Sequence, residues 1–175
     1  MTRVGYFAYG SNMQRATFAG RRGIVPAAAA AARVRGWRLV LDKPPMVPTG
    51  HGFANLAADP DAEVFGVLYD LSAEELAHVE LTEGVTLGNY RQIEVDVVRV
   101  ATDERTRAFT LVSDRRDPQL RPSTIYMARL IEGAEEHGLP AQWIAHLRAI
   151  PTAADTAAAA AARRMVDDVL ARLKR

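Results

Sequence analysis

Apolar residues recur every second position in some stretches of the chain and every third or fourth in others. In "QIEVDVVRV" (Gln92–Val100), Ile93, Val95 and Val97 fall on one face, which predicts a half-buried strand. "VFGVLYD" (Val64–Asp70) is a largely apolar strand, and "RAFTLVS" (Arg107–Ser113) is placed to pair with Gln92–Val100 as a hairpin across Asp103–Arg105. "YFAYGSNM" (Tyr6–Met13) starts as a strand and breaks at Gly10, and Ser11 and Asn12 follow where a helix would start. Helical spacing takes over later. "STIYMARLIEGAEEH" is ended by Gly138 and Pro140, and "AQWIAHLRAI" by Pro151.

Two alanine runs complicate this pattern. In "PAAAAAARVRGWRLVLD" alanine favours helix, but Pro26 and the strand-like end leave little room for one, so the second half reads as strand. "TAADTAAAAAARRMVDDVLARLKR" reads as a helix capped by Asp155, with Arg172, Lys174 and Arg175 at the end where the dipole favours cations. Met165, Val166, Val169, Leu170 and Leu173 share one face of it, to dock on the same domain or on a second copy. Strands early and helices late, without a βαβ rhythm, predict an α+β domain. The expected division is residues 1–151 as the folded domain and residues 152–175 as a C-terminal helix.

Composition narrows the function classes. The chain has 175 residues, 49% apolar and 25% charged, enough for one core. A formal charge of +1 gives no broad basic field, so nucleic acid is not an expected partner. Cysteine is absent, which removes disulfides, a thiol nucleophile and Cys-type zinc sites. The N-terminal stretch lacks the apolar run of a signal peptide, and no later stretch is suited to a bilayer, so no membrane association and a cytoplasmic protein are expected. His51, His78, His137 and His146 lack metal-ligand spacing, so no metal site is expected.

Candidate chemistry centres on "LSAEELAHVELTEGV". Ser72 and Glu75 form a capping box, with Leu71 and Leu76 as the hydrophobic staple around it. This starts a helix at Ser72, and Gly84 stops it. Leu76, Val79 and Glu83 then share the inward face. Desolvation, the negative helix end and nearby Glu80 all disfavour an ionised Glu83 and hold it nearer neutrality, as a general acid/base requires. The competing reading is that Glu83 snorkels to solvent or pairs with an arginine. Ser11 lacks a nucleophile elbow, and Gly10 belongs to no Walker or Rossmann fingerprint. Tyr90 and Tyr126 are, on their own, ordinary core aromatics.

"YFAYGSNM", "HG" at His51–Gly52, "VFGVLYDL", "TEGVTLGNY" and "GAEEHGLP" occur in the order seen in γ-glutamylcyclotransferases. The chain resembles that family from about Gly5 to Ile150. The resemblance implies a small mixed β-barrel-like sheet flanked by helices, with a C-terminal helix added. It also implies Glu83 as the general acid/base, and a substrate pocket lined by Tyr6, Phe7, Ala8, Tyr9, Gly10, Ser11 and Asn12 with Tyr90 and Tyr126. The implied reaction turns a γ-glutamyl amine into 5-oxoproline and the free amine, without metal or organic cofactor. Backbone N–H groups of Gly10, Ser11 and Asn12, with a helix dipole behind them, are expected to hold a carboxylate or oxyanion. Phe109 stands where relatives often place a tyrosine, which leaves the substrate open. A homodimer is open too, and so is a non-catalytic protein that binds a small ligand in the same fold. The segment after Pro151 is expected to be dispensable for the chemistry, because the resemblance ends before it.

Overall fold

The computed structural model describes residues 3–173. Five strands, β1 (Arg3–Ala8), β2 (Ala28–Lys43), β3 (Phe53–Ser72), β4 (Arg91–Arg99) and β5 (Arg105–Val112), close into a barrel in the order β1-β3-β2-β4-β5. All neighbours are antiparallel except β1 and β5, which meet in parallel where Tyr6 faces Phe109. Four α-helices surround the barrel: α1 (Ala73–Glu83), α2 (Thr124–Glu136), α3 (Ala141–Ala149) and α4 (Ala157–Leu173). The α+β class and the barrel-like sheet are as expected. The core joins barrel and helices through Phe7, Met13, Phe18, Val67, Val79 and Leu130, each at most 1% exposed.

The first alanine run is strand from Ala28 onward. Ala28–Ala32 pair with Asp70–Gly66 of β3, and this long-range ladder outweighs the small helix preference of alanine. α1 begins where β3 ends. Ser72 accepts from the Glu75 N–H at 3.1 Å, Glu75 reaches back to the Ser72 N–H at 2.7 Å, and Leu71 and Leu76 are both buried. Gly84 takes a left-handed φ of 71°, which ends the helix directly after Glu83. The β4–β5 hairpin turns through Asp103, whose φ is 55°.

Three expectations need correction. Ser11 opens only a single 3-10 turn (Ser11–Met13), broken at Gln14 before a short π-helical segment (Ala16–Arg21), so no extended dipole stands behind the Gly10 turn. The cap of α4 is Thr156, whose hydroxyl accepts from the Ala159 N–H, while Asp155 forms an ion pair with Arg163. Finally, α4 docks through Ala159, Ala162 and Leu170, which leaves Met165, Val166, Val169 and Leu173 at least 41% exposed. Small side chains allow closer backbone approach than the large apolar stripe would. Lys174 and Arg175, placed at the helix end by the sequence pattern, lie outside the described residues.

Candidate active site

A cavity of about 250 Å³ opens at the end of the barrel where the Gly10 turn, the end of α1, the 44–52 connection, α2 and α4 converge. Glu83 lines it, with its side chain 17% exposed. Its Oε1 accepts from Arg22 Nη2 at 2.6 Å and from Asn12 Nδ2 at 2.9 Å. Asn12 Oδ1 in turn accepts from Arg22 Nε at 2.8 Å, so the three side chains form a closed triangle. Asn12 Nδ2 also donates to the Tyr6 hydroxyl at 3.1 Å. The His78 ring, one turn earlier on α1, donates to the Arg22 carbonyl at 2.9 Å. Asn89 donates to the Glu83 carbonyl at 2.8 Å. Both the backbone and the side chain of Glu83 are therefore fixed.

Oε2 of Glu83 receives no donor from the described residues. This asymmetry is the central chemical feature of the site: one carboxylate oxygen is saturated and the other is available. The arginine pairing weighed as an alternative is present, through the ion pair of Arg22 with Glu83. Arg22 lies 61 residues from Glu83, so its charge was missing from the effects counted from the sequence.

The tyrosines supply neutral donors. Burial pushes the Tyr6 hydroxyl pKa far up, and the nearby Glu83 charge adds to it. Burial also raises Tyr126, to about 12. Both hydroxyls therefore keep their protons at neutral pH. Tyr126 Oη accepts from the Ala54 N–H at 3.0 Å and is also hydrogen-bonded by the backbone and side chain of Ser11. Tyr9 and Tyr90 are spoken for, donating to the Leu111 and Ala54 carbonyls. Lys43 is only 3% exposed. Its ammonium hydrogen-bonds Asn89 Oδ1 and sits 4.6 Å over the Tyr90 ring, and burial lowers its pKa to about 8.

Most of the residues expected to bind substrate meet at this cavity: Tyr6, Tyr9, Gly10, Ser11, Asn12, Tyr90 and Tyr126 all line it. Phe7 and Ala8 do not. Phe7 is fully buried and Ala8 2% exposed, both within the core. Gly10 has a φ of −115°, so close approach accounts for it: an added Cβ would stand 3.2 Å from Ala54 Cβ and 3.3 Å from the Tyr126 hydroxyl. Phe109 pairs with Tyr6 but is not itself in the cavity wall. Ala159, Ala162, Arg163 and Val166 of α4 are in the wall, so the segment after Pro151 reaches the cavity. Sequence reasoning also missed Arg22, Lys43 and Arg129. Each is a basic residue in a stretch without motif, and only the fold brings it to the cavity.

Among the described residues, no group of three or more histidine or acidic side chains is placed to hold a metal ion, and no helix is long and apolar enough to cross a membrane. The AIG2-like family matches residues 63–147. The bovine (Bos taurus) γ-glutamylcyclotransferase is 32% identical over 151 residues, covering 83% of this chain and 77% of its own length. The γ-glutamyl cyclotransferase aclK of Aspergillus oryzae is 30% identical over 165 residues, and the match spans 60% of that longer protein. A solved γ-glutamyl cyclotransferase structure shares the fold with a TM-score of 0.76 at 23% identity, over 98% of this chain and 99% of its own, so the likeness includes α4. The chain belongs to the γ-glutamylcyclotransferase family and is an enzyme of that type.

Proposed function

We propose that the cavity converts a γ-glutamyl amine into 5-oxoproline and the free amine, with Glu83 as the general acid/base. The observation that carries this reading is the free Oε2 on a carboxylate whose other oxygen is fixed by Arg22 and Asn12. Oε2 takes a proton from the substrate α-ammonium. The α-nitrogen then attacks the side-chain carbonyl carbon, closing the five-membered ring and placing negative charge on the carbonyl oxygen. As that oxygen reforms its double bond, the bond to the departing nitrogen breaks. Over the whole reaction two protons leave the α-nitrogen and two reach the departing nitrogen, so one carboxylate alternates as base and acid. Attack within a single molecule needs chiefly a folded substrate, which a confined cavity provides.

The Tyr6 and Tyr126 hydroxyls and the backbone of the Gly10 turn are the proposed donors to the developing oxyanion. Metal and organic cofactors have no part in this scheme. A cytoplasmic setting belongs to the reading as well, in line with a cysteine-free chain.

The test is Glu83→Gln, which keeps size and hydrogen bonding but cannot accept a proton. Release of 5-oxoproline from a γ-glutamyl amine, followed by mass spectrometry, should fall about 10²–10⁴-fold in kcat, the usual weight of a general acid/base. Substrate should still raise the Tm of the variant. Glu80→Gln, which alters a carboxylate outside the cavity wall, should turn over almost normally. Normal turnover by Glu83→Gln would refute the assignment.

A further inference from the structure

Lysine is among the residues least often buried, yet Lys43 is 3% exposed and lines the cavity. Its burial is built into the strand. Val40 pairs with Asn55 and Lys43 with Phe53, so two residues of β2 stand opposite one of β3. Such a bulge re-aims the side chains beside it, and here Asp42 and Lys43, adjacent in the chain, are both buried.

The ammonium placed in this way has few partners. A lysine nitrogen carries three N–H donors, and this one finds a single hydrogen-bond acceptor among the described residues, the neutral Asn89 side-chain oxygen. Arg115 shares that oxygen at 3.4 Å, and the Tyr90 ring faces the charge at 4.6 Å. Lys43 makes no ion pair among the described residues. The arginines of the cavity differ: Arg21 pairs with Asp167, Arg22 with Glu83 and Arg163 with Asp155, and Asp155 and Asp167 also act on Arg129. Glu83 attracts the Lys43 cation but is already bound to Arg22, and Arg115 repels it. Burial makes this charge costly, and an anionic ligand beside it would offset that cost.

The chemistry at Glu83 needs such a group. In a γ-glutamyl amine one carbon carries both the α-amine and the α-carboxylate, so whatever holds the carboxylate must stand beside the base. Asn89 links the two positions: its amide oxygen accepts from Lys43, and its amide nitrogen donates to the Glu83 carbonyl. The Gly10 turn, Tyr6 and Tyr126 are assigned to the oxyanion, which leaves the carboxylate otherwise unheld. We propose that Lys43 binds the α-carboxylate of the γ-glutamyl group and thereby holds the α-nitrogen at Glu83 Oε2. The same contact retains 5-oxoproline, which loses the ammonium charge but keeps the carboxylate. Lys43 is a substrate-binding residue and takes no part in the proton transfers. This role rests on the γ-glutamyl reading of the cavity.

The test compares substrates that differ only in this group. γ-Glutamylglycine, γ-glutamyl-L-alanine and γ-glutamylethylamide are each assayed beside a counterpart whose α-carboxylate is replaced by a carboxamide. Release of the amine is followed by mass spectrometry. Wild-type kcat/KM should favour the carboxylate by about tenfold or more, the usual weight of a hydrogen bond between charged groups. In Lys43→Met, and in Lys43→Gln, that preference should fall by about tenfold, mainly through KM. Each ratio is taken within one variant, so partial loss of folded protein cancels. A lysine that only props Asn89 against Glu83 would slow both members of a pair alike. An unchanged ratio in the variants, or a wild type indifferent to the carboxylate, would therefore overturn the assignment. Binding supplies a second readout: the Kd of 5-oxoproline should rise about tenfold in Lys43→Met, while that of the neutral 5-oxoprolinamide holds. Equal affinity of wild type and variant for 5-oxoproline would also overturn it. If the wild type releases amine from none of the three carboxylate substrates, the γ-glutamyl reading itself falls, and the role of Lys43 with it.

Discussion

The two ends of the cavity are built differently. At the Glu83 end, Asn12, Arg22 and Tyr6 are all buried and bonded to one another or to Glu83. At the α2–α4 side, Ile125 and Val166 are exposed, and Arg129 makes no ion pair or hydrogen bond among the described residues. Proton transfer demands heavy atoms placed within a few tenths of an ångström, so its residues are interlocked. Substitutions at the first end should therefore damage stability and chemistry together. At exposed positions of the wall they should leave the fold nearly intact.

The largest effect is expected from Arg22→Met. It leaves the Glu83 carboxylate without its cation in a mostly buried setting, a loss of about 3 kcal/mol in urea unfolding. Adding Glu83→Gln to the same chain should restore much of that stability, because no charge is then stranded. A single variant as stable as the wild type would show that the triangle does not hold this end together.

Lys43 comes next and can be read from pH alone. Its folded pKa of about 8 lies below the unfolded value of 10.5, so the unfolded chain binds more protons between those limits. Stability should then be lowest, on this account, below pH 8 and should rise as pH climbs from 8 to 10.5, by something on the order of 2–3 kcal/mol. Lys43→Met should abolish that rise and raise the Tm at neutral pH. A wild type whose Tm ignores this window would refute it.

Tyr126→Phe is milder. It strands the buried Ala54 N–H, which costs roughly 1–3 kcal/mol, and removes one proposed oxyanion donor, so kcat should fall with little change in KM. The smallest effect belongs to the exposed part of the wall: Met46→Ser should shift stability by no more than about 0.5 kcal/mol, because Met46 is 49% exposed. A large loss would mean that Met46 is structural.

Legibility in the sequence followed sequence distance. α1 could be bounded because Ser72, Glu75 and Gly84 act on their own neighbourhood, and helix geometry turned Glu83 inward while the family resemblance gave it its role. The strands at Val64–Asp70 and Gln92–Val100 were visible from apolar runs and alternation. What escaped depends on partners far along the chain. Arg22 meets Glu83 across 61 residues, and nothing in "AGRRG" announces it. The alanines of β2 obey β3 and not their own propensity. The large apolar residues of α4 made a convincing stripe, yet of them only Leu170 is buried and Ala159 and Ala162 make the rest of the contact, since hydropathy patterns weigh side-chain size and a close helix contact needs the opposite.

The single parallel seam between β1 and β5 bears on how the protein becomes active. Tyr6 meets Phe109 there, and the Tyr9 hydroxyl reaches the Leu111 carbonyl 102 residues away. The β2–β3 ladder, by comparison, can form as one long hairpin soon after both strands exist. Closing a loop of that length carries an entropic cost that must be met before any contact in it rewards the chain. A ribosome-bound chain cannot complete the cavity until β5, α2 and α4 have all emerged. In refolding, sheet signal should return before a γ-glutamyl ligand can bind, and the interval between the two measures how late the seam closes.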